Sequence, residues 1–174
     1  MRSITSYRQK SFRLAAGFTL VELVIVVLVL GILGTVAASR ATYSIQDSIR
    51  VTLQSNLDAL YNAVDLNRRS AYPAAIEPEW FRGSRLPPHP QADTAAATVQ
   101  VATDAGLSDP VNKVLVGALA PYWYNSQNGE IRVRVGIVGT EAETLAFYNL
   151  VNGTSVTSLG NYVAVAKANG GGGK

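Results

Sequence analysis

The fold is decided by one stretch near the start of the chain, residues 18–38, which reads FTLVELVIVVLVLGILGTVAA. The stretch carries a single charge, Glu22. As an α-helix rising about 1.5 Å per residue it extends over about 32 Å, which matches the hydrocarbon core of a bilayer. The sequence therefore predicts a helix whose first part crosses a membrane.

The segment before this stretch, residues 1–17, is basic and contains no acidic residue. Its basic residues are Arg2, Arg8, Lys10 and Arg13. Because cytoplasmic flanks of membrane helices are rich in Lys and Arg, we expect residues 1–17 in the cytoplasm and the rest outside it. Without residues 1–17 the chain has 11 basic and 12 acidic residues, so the basic pI does not by itself indicate a nucleic-acid-binding protein.

Composition removes several classes of protein. Apolar residues make up 48% of the chain and charged residues 16%, which excludes a disordered chain, a collagen and a coiled-coil rod. The absence of cysteine excludes a disulfide scaffold, a thiolate metal site and a cysteine nucleophile. The single histidine, His89, excludes a metal site built from several histidines.

Two ordinary interpretations of residues 18–38 are a plain signal anchor and a secretory signal peptide cleaved after Ala38. The apolar run is longer than the roughly 7–15 residues usual in a signal peptide. Neither interpretation explains Glu22, because a carboxylate at mid-bilayer costs on the order of 2.5–3.5 kcal/mol, and less near an end.

A third interpretation explains Glu22. Residues 17–22, GFTLVE, resemble the prepilin processing signal of type IV pilins and type II secretion pseudopilins. The resemblance implies that a prepilin peptidase cuts after Gly17 and methylates the new N-terminal residue, Phe18. It also implies that Glu22 pairs with the terminal ammonium of a neighbouring subunit during filament assembly. Such a pair offsets part of the desolvation of both charges.

Two glycines inside the apolar stretch, Gly31 and Gly34, extend the resemblance, since the family usually has glycine where Gly31 stands. Glycine within a helix costs up to about 1 kcal/mol relative to alanine. The glycines are expected to permit close helix packing or, as the resemblance implies, to let the segment loosen in a filament. Ser39 stands where many family members have proline, so the resemblance does not carry a kink to this position.

The helical pattern continues beyond the apolar stretch, with no proline before residue 73. Apolar residues recur at steps of three or four at Ile45, Ile49, Leu53, Leu57, Leu60 and Val64. This spacing predicts one helix from Phe18 to about Ser70, with the stripe packed on a globular head. Residues 53–73 also resemble, more loosely, the end of the long helix of type II secretion pseudopilins.

The rest of the chain reads as a head that begins with an irregular, proline-rich loop at residues 71–98. Trp80 and Phe81 are expected to anchor this loop. Asp109-Pro110 predicts a short helix to about residue 119. Asn128-Gly129 predicts a tight turn into a half-buried antiparallel strand over residues 130–138.

The last part of the head is less determined. Residues 140–152 fit either a capped helix, with Thr140, Glu143 and Gly153 at its ends, or a strand, and the strand is favoured. Residues 154–167 predict a last strand, followed by a flexible glycine-rich end.

The predicted fold class is therefore α+β, with a long N-terminal helix, transmembrane in its first half, packed on a small antiparallel sheet head. The pilin family has this ladle shape too. The expected segments are 1–17 for the leader, 18–38 for the transmembrane and filament-core helix, 39–70 for its amphipathic second half, and 71–174 for the head.

Motifs for catalysis or ligand binding are absent from the sequence. It contains no G-x-S-x-G or H-E-x-x-H, and the terminal GGGGK lacks the spacing of a phosphate-binding loop. No acidic residue follows Glu143, so the calcium loop of some pseudopilins is not expected. His89, between prolines, is expected to be exposed and inert. We expect no catalytic residue, metal or cofactor.

The leading hypothesis is a non-enzymatic subunit of a type IV pilus-like or type II secretion pseudopilus filament, resident first in the inner membrane with its head outside the cytoplasm. The resemblance implies other copies, the prepilin peptidase, an inner-membrane assembly platform with its ATPase, and lipid as partners. Nucleic acid is expected only if the filament serves DNA uptake. The alternative is a secreted or membrane-anchored periplasmic binding domain.

Overall fold

The protein has an α+β fold in which a long helix precedes a small sheet and a second helix. A computed structural model describes residues 19–92, 97–160 and 162, and only the backbone of residues 36–43. The elements are α1 (Leu20–Asn67), a 3₁₀ helix (Pro78–Trp80), β1 (Val99–Ala102), β2 (Tyr122–Asn125), β3 (Ile131–Val133) and α2 (Glu141–Asn152). The predicted fold class is confirmed.

The chain divides into two compact units, Met1–Thr42 and Tyr43–Lys174. In the first unit the large apolar side chains of α1 between Leu20 and Leu33 are 45–80% exposed. Within residues 19–92, 97–160 and 162, no helix meets the length and apolar character required to cross a membrane.

In the second unit the apolar stripe of α1 forms one wall of the core. Its buried members are Leu53, Leu57, Leu60 and Val64, and Ile49 is partly buried against them. The prediction was wrong for Ile45, which is 61% exposed. The part of the stripe that packs on the core begins at Ile49. The helix ends at Asn67 rather than Ser70.

The sheet has the order β1-β2-β3 and is mixed. β2 and β3 are antiparallel and joined through the predicted Asn128-Gly129 turn, whereas β1 runs parallel to β2. The prediction of a wholly antiparallel sheet was therefore wrong. A parallel neighbour requires a long crossover, and residues 103–121 form this connection without a helix.

The two faces of the sheet are covered differently. Ile131, Val133 and Val135, which alternate along the sequence with Arg132 and Arg134, point into the core against α1, as a half-buried strand requires. The opposite face was expected to be solvated, yet Arg132 and Arg134 are buried there. The connection at residues 103–121 supplies partners for both arginines on that face.

The predicted helix from Asp109 to residue 119 does not form. The Asp109 carboxylate accepts hydrogen bonds from Arg132 and Tyr148 instead of capping a helix. Val114 pairs with Val135 beside the sheet. These long-range contacts override the local helix signal, as tertiary context commonly does.

Residues 140–152 form a helix, so the favoured strand was wrong. The Thr140 side chain accepts from the Glu143 backbone N–H, and the Glu143 carboxylate accepts from the Thr140 N–H, which completes a capping box. Gly153 ends the helix at φ 62°, a left-handed conformation that suits glycine. No strand forms at residues 154–160, and residues 163–174 lie outside the described part of the chain.

Candidate functional site

The first turn of α1 is held by a Thr-x-x-Glu arrangement. The Glu22 carboxylate accepts hydrogen bonds from the Thr19 backbone N–H at 3.0 Å and from the Thr19 hydroxyl at 2.8 Å. The Glu22 N–H donates to the Thr19 hydroxyl at 3.2 Å. These are the reciprocal bonds of a capping box. Glu22 is exposed, so its carboxylate is accessible while it caps its own helix.

The predicted site residues are only partly within the described chain. Gly17 and Phe18 lie outside it, so the predicted pairing of Glu22 with a Phe18 ammonium stays a prediction. Gly31 and Gly34 lie in α1, and a Cβ added at either meets no atom within 4 Å. Within the described residues these glycines make no close contact, which leaves their surface open to another helix.

A buried ionic cluster joins α1, β3 and α2 in the head. Arg132 contacts Glu130 at 2.6 Å and Asp109 at 3.1 Å, and its Nη1 donates to the Tyr61 hydroxyl at 3.0 Å. The Tyr148 hydroxyl donates to Asp109 at 2.8 Å. Burial by itself lowers the pKa of Arg132, but Tyr61, Glu130 and Asp109 outweigh it and the pKa is raised. The cluster therefore stays charged and ties three elements together.

A second buried cation, Arg134, is held without a carboxylate. Its Nε donates to the Asn112 carbonyl at 2.7 Å, and its other nitrogens donate to the Ala120 carbonyl and the Gln100 side chain. Burial lowers the pKa of Arg134, but a guanidinium remains charged in proteins. Removing one partner of a buried charge is strongly destabilising, so these contacts fix the residue 103–121 connection on the sheet.

His89 is buried, which corrects the prediction that it is exposed. Its Nε2 lies 2.9 Å from the Arg134 carbonyl oxygen, and its Nδ1 accepts the Gln91 N–H. This pairing fixes a neutral tautomer protonated on Nε2. Burial lowers the pKa of His89, outweighing the hydrogen bond to Arg134. The proline-rich loop thus uses His89 as an anchor, together with the partly buried Trp80 and Phe81 that were predicted for this role.

Sequence reasoning missed Asn152. Its carboxamide accepts a hydrogen bond from the Val133 N–H at 2.7 Å and donates one to the Val133 carbonyl at 3.0 Å. These are the two hydrogen bonds that a neighbouring strand would make with Val133. Asn152 begins a glycosylation triplet, Asn152-Gly153-Thr154, but its burial leaves no accessible acceptor there.

A cavity of about 760 Å³ lies beside the proline-rich loop of the head. Its lining includes Phe81, Arg82, Arg85 and His89. Among the described residues, no group of three or more His, Asp or Glu side chains is placed to hold a metal ion.

Comparison with known families places the N-terminal segment. The family described as the prokaryotic N-terminal methylation motif matches residues 12–38. The chain carries a prepilin signal. This signal is the one of type IV pilins and pseudopilins, and it supports a pilin-like precursor that is processed by a prepilin peptidase. No curated protein and no solved structure matches the chain.

The prepilin signal has two further implications. It points to a structural protein that is anchored in a membrane before it enters a filament. The match covers Gly17, Phe18, Glu22, Gly31 and Gly34, but none of the head. The match therefore gives the head no family assignment.

Proposed function

We propose that the protein is a structural subunit of a type IV pilus-like or type II secretion pseudopilus filament. The prepilin signal at residues 12–38 carries this proposal. The precursor is inserted with its basic leader in the cytoplasm, cut after Gly17 and methylated on Phe18. Residues 18–38 then pass from the membrane into the bundled core of a filament, helped by the assembly platform and its ATPase.

The exposure of α1 supports this role. Its first unit presents large apolar side chains all along residues 20–33, and none of them is buried in the described chain. Burial of apolar surface contributes about 25 cal/mol per Å², so this surface gains stability from lipid or from other helices. Membrane insertion rests on the sequence, since the described part of the helix does not itself meet the requirement for a span.

Glu22 is proposed to set the register between subunits. In the described chain its carboxylate bonds to Thr19, and a carboxylate accepts several hydrogen bonds at once. It can therefore keep the cap while it pairs with the Phe18 ammonium of a neighbour. The pair is favourable because two opposite charges that lose water together offset part of each other's desolvation.

The decisive variant is Glu22→Gln. Glutamine preserves the reciprocal bonds of a capping box but removes the negative charge. We expect normal cleavage after Gly17, measured by mass spectrometry of the membrane fraction, and a loss of filaments from the sheared cell-surface or periplasmic fraction.

Glu143→Gln is the matched control, because Glu143 makes the same bonds with Thr140 at the start of α2. It should leave both cleavage and filament yield unchanged. Normal filament yield from Glu22→Gln would contradict the proposed charge pairing.

The cavity of about 760 Å³ favours a second candidate, an anchored periplasmic binding domain. Its volume lies in the range of about 300–1,000 Å³ typical of small-molecule sites, and Arg82 and Arg85 would select an anionic ligand. Arg82→Ala with Arg85→Ala separates the two functions. If the protein is a filament subunit and the cavity takes no part in assembly, this variant should form filaments normally. If the protein is a binding domain, neither the natural protein nor the variant forms filaments.

A further inference from the structure

The two edges of the sheet differ, and the edge at β3 is closed. The Ile131 N–H donates to the Tyr61 hydroxyl at 3.2 Å, and this hydroxyl donates to the Ile131 carbonyl at 3.0 Å. Asn152 pairs with both backbone groups of Val133. Val135 bonds to the backbone of Lys113 and Leu115. Side chains and a loop thus satisfy every outward group at these three positions.

Among the described residues, nothing pairs with the outer edge of β1. The Thr98 carbonyl accepts from the Tyr122 N–H of β2 and the Ala102 carbonyl from the N–H of Ser126, which follows β2, so the even-numbered residues point their backbone groups toward β2. Val99 and Val101 therefore direct their N–H and C=O groups away from the sheet. No described residue bonds to these groups, and β1 contains no proline, lysine or bulge, the usual devices that block an edge.

The chain leaves the head at the opposite side from this open edge. Beyond β3, Val135 pairs with Lys113, and the Lys113 N–H donates to the Leu159 carbonyl. Leu159 is thus joined to the sheet through Lys113 on the β3 side, away from β1. Tyr162 follows at once and is tied by its hydroxyl to the Gly139 carbonyl. Residues 163–167, VAVAK, follow Tyr162 directly in the sequence.

We propose that β1 accepts residues 163–167 of a neighbouring copy as an added strand. The proposal rests on the filament function, since it describes how successive heads are joined. Val163 and Val165 alternate with Ala164 and Ala166, so one face of the added strand carries β-branched side chains, which favour strands, and the other carries only alanine methyl groups. An outgoing segment at one side and an acceptor edge at the other give a head-to-tail contact, which propagates rather than closes. Because the filament core already holds neighbouring heads close together, a strand of five residues is long enough to bind.

Engineered disulfides test the contact in assembled filaments. The natural chain has no cysteine, so the only thiols are those introduced. Val101→Cys combined with Val163→Cys or Val165→Cys should give an oxidised ladder of dimers and higher multimers. Val101→Cys with Ala164→Cys should not, because alternate residues point to opposite faces.

The matched control combines Leu66→Cys with Val165→Cys. Leu66 is 85% exposed and Val101 is 39% exposed, so random collisions favour the control. A ladder of equal strength from the control would overturn the proposal, and so would an exclusively intrachain product from the Val101 pairs.

Proline at Val101 tests the backbone bonds. Because the Val101 N–H points away from β2, Val101→Pro removes no bond within the head, as proline is tolerated on edge strands. It leaves one carbonyl of the incoming strand unpaired. The ladder is therefore read in proteins that carry Val99→Cys with Val163→Cys or Val165→Cys, since Val99 lies on the same face of β1 as Val101, and Val101→Pro should weaken it about tenfold or more. In the same background Val101→Thr keeps the N–H and should preserve the ladder. An unchanged thermal midpoint of the full-length Val101→Pro protein in detergent shows that the head still folds.

The outcomes separate this proposal from the filament function. Filaments that assemble without a Val101→Cys ladder, or whose Val99→Cys ladder survives Val101→Pro, overturn the added strand and leave the filament function standing. A chain that is never cut after Gly17 overturns the filament function, and the strand contact falls with it.

Discussion

The two helices of the protein begin with the same local chemistry and differ in everything around it. Thr19 with Glu22 and Thr140 with Glu143 make the same three hydrogen bonds, with corresponding lengths within 0.3 Å of each other. α2 continues into a head where Tyr148, Val151 and Asn152 are buried. α1 continues into an apolar surface that is exposed along residues 20–33.

This comparison shows that a capping box alone does not mark a functional site. Glu143 demonstrates that a glutamate at this position has a sufficient structural reason. Glu22 has that reason too, so its role in assembly must come from its charge and its place beside Gly17 and Phe18. Experiments that remove the cap and the charge separately therefore discriminate between the two roles.

The largest effect on the head is expected from Asn152→Ala. The variant leaves the buried N–H and C=O of Val133 unpaired, at about 1–3 kcal/mol for each group, and the free energy of unfolding should fall by about 3 kcal/mol. Chemical denaturation of the full-length protein measures it. Leu150→Ala, on the exposed side of α2, is the control and should change stability by less than about 0.5 kcal/mol. Equal effects would show that Asn152 does not close the β3 edge.

A smaller effect separates the two boxes themselves. Thr140→Ala removes the cap of α2 and should destabilise the head by about 1 kcal/mol, measured by denaturation. Thr19→Ala removes the cap of α1 but keeps the Glu22 charge, so filament yield should remain close to that of the natural protein. Loss of filaments from Thr19→Ala, as severe as from Glu22→Gln, would assign the role of Glu22 to capping.

The head also contains a histidine, a residue that the first unit lacks. Burial lowers the pKa of His89 below its usual 6.5, so below that pH the unfolded chain takes up a proton that the folded chain refuses. Stability is therefore complete above the unfolded pKa and is lost as pH falls toward the folded one. The thermal midpoint should drop between about pH 7.5 and 5.5, and the drop should shrink in His89→Gln. If the thermal midpoints of the natural protein and of His89→Gln fell equally with pH, His89 would be exposed to solvent rather than buried.

Much of the fold was predictable because local patterns decide it. The stripe on α1 from Leu53 to Val64, the Asn128-Gly129 turn and the inward face of β3 follow from spacing alone. These elements meet across one apolar core, where periodicity and burial give the same answer.

The remainder depends on contacts that no spacing encodes. Arg132 and Arg134 looked like a solvated face, but the residue 103–121 connection covers them with carbonyls and the Asp109 carboxylate. The same contacts cancel the helix predicted after Asp109. β1 escaped prediction because its four residues carry no turn signal and pair in parallel with a distant strand. His89 became buried through its bond to Arg134.

The candidate site divides in the same way. The prepilin signal was predictable because residues 17–22, GFTLVE, carry the resemblance on their own. The glycosylation triplet at Asn152 was a chance match, since its side chain completes the sheet. Local motifs therefore located the N-terminal site, whereas the open edge of β1 required the sheet topology.

The most direct test of the central claim is the mature N terminus and intact mass of the protein from its native membrane. We predict a chain that begins at N-methylated Phe18, which leaves 157 of the 174 residues. A chain that begins near Ser39, with 136 residues, would contradict the filament function and identify a secreted domain.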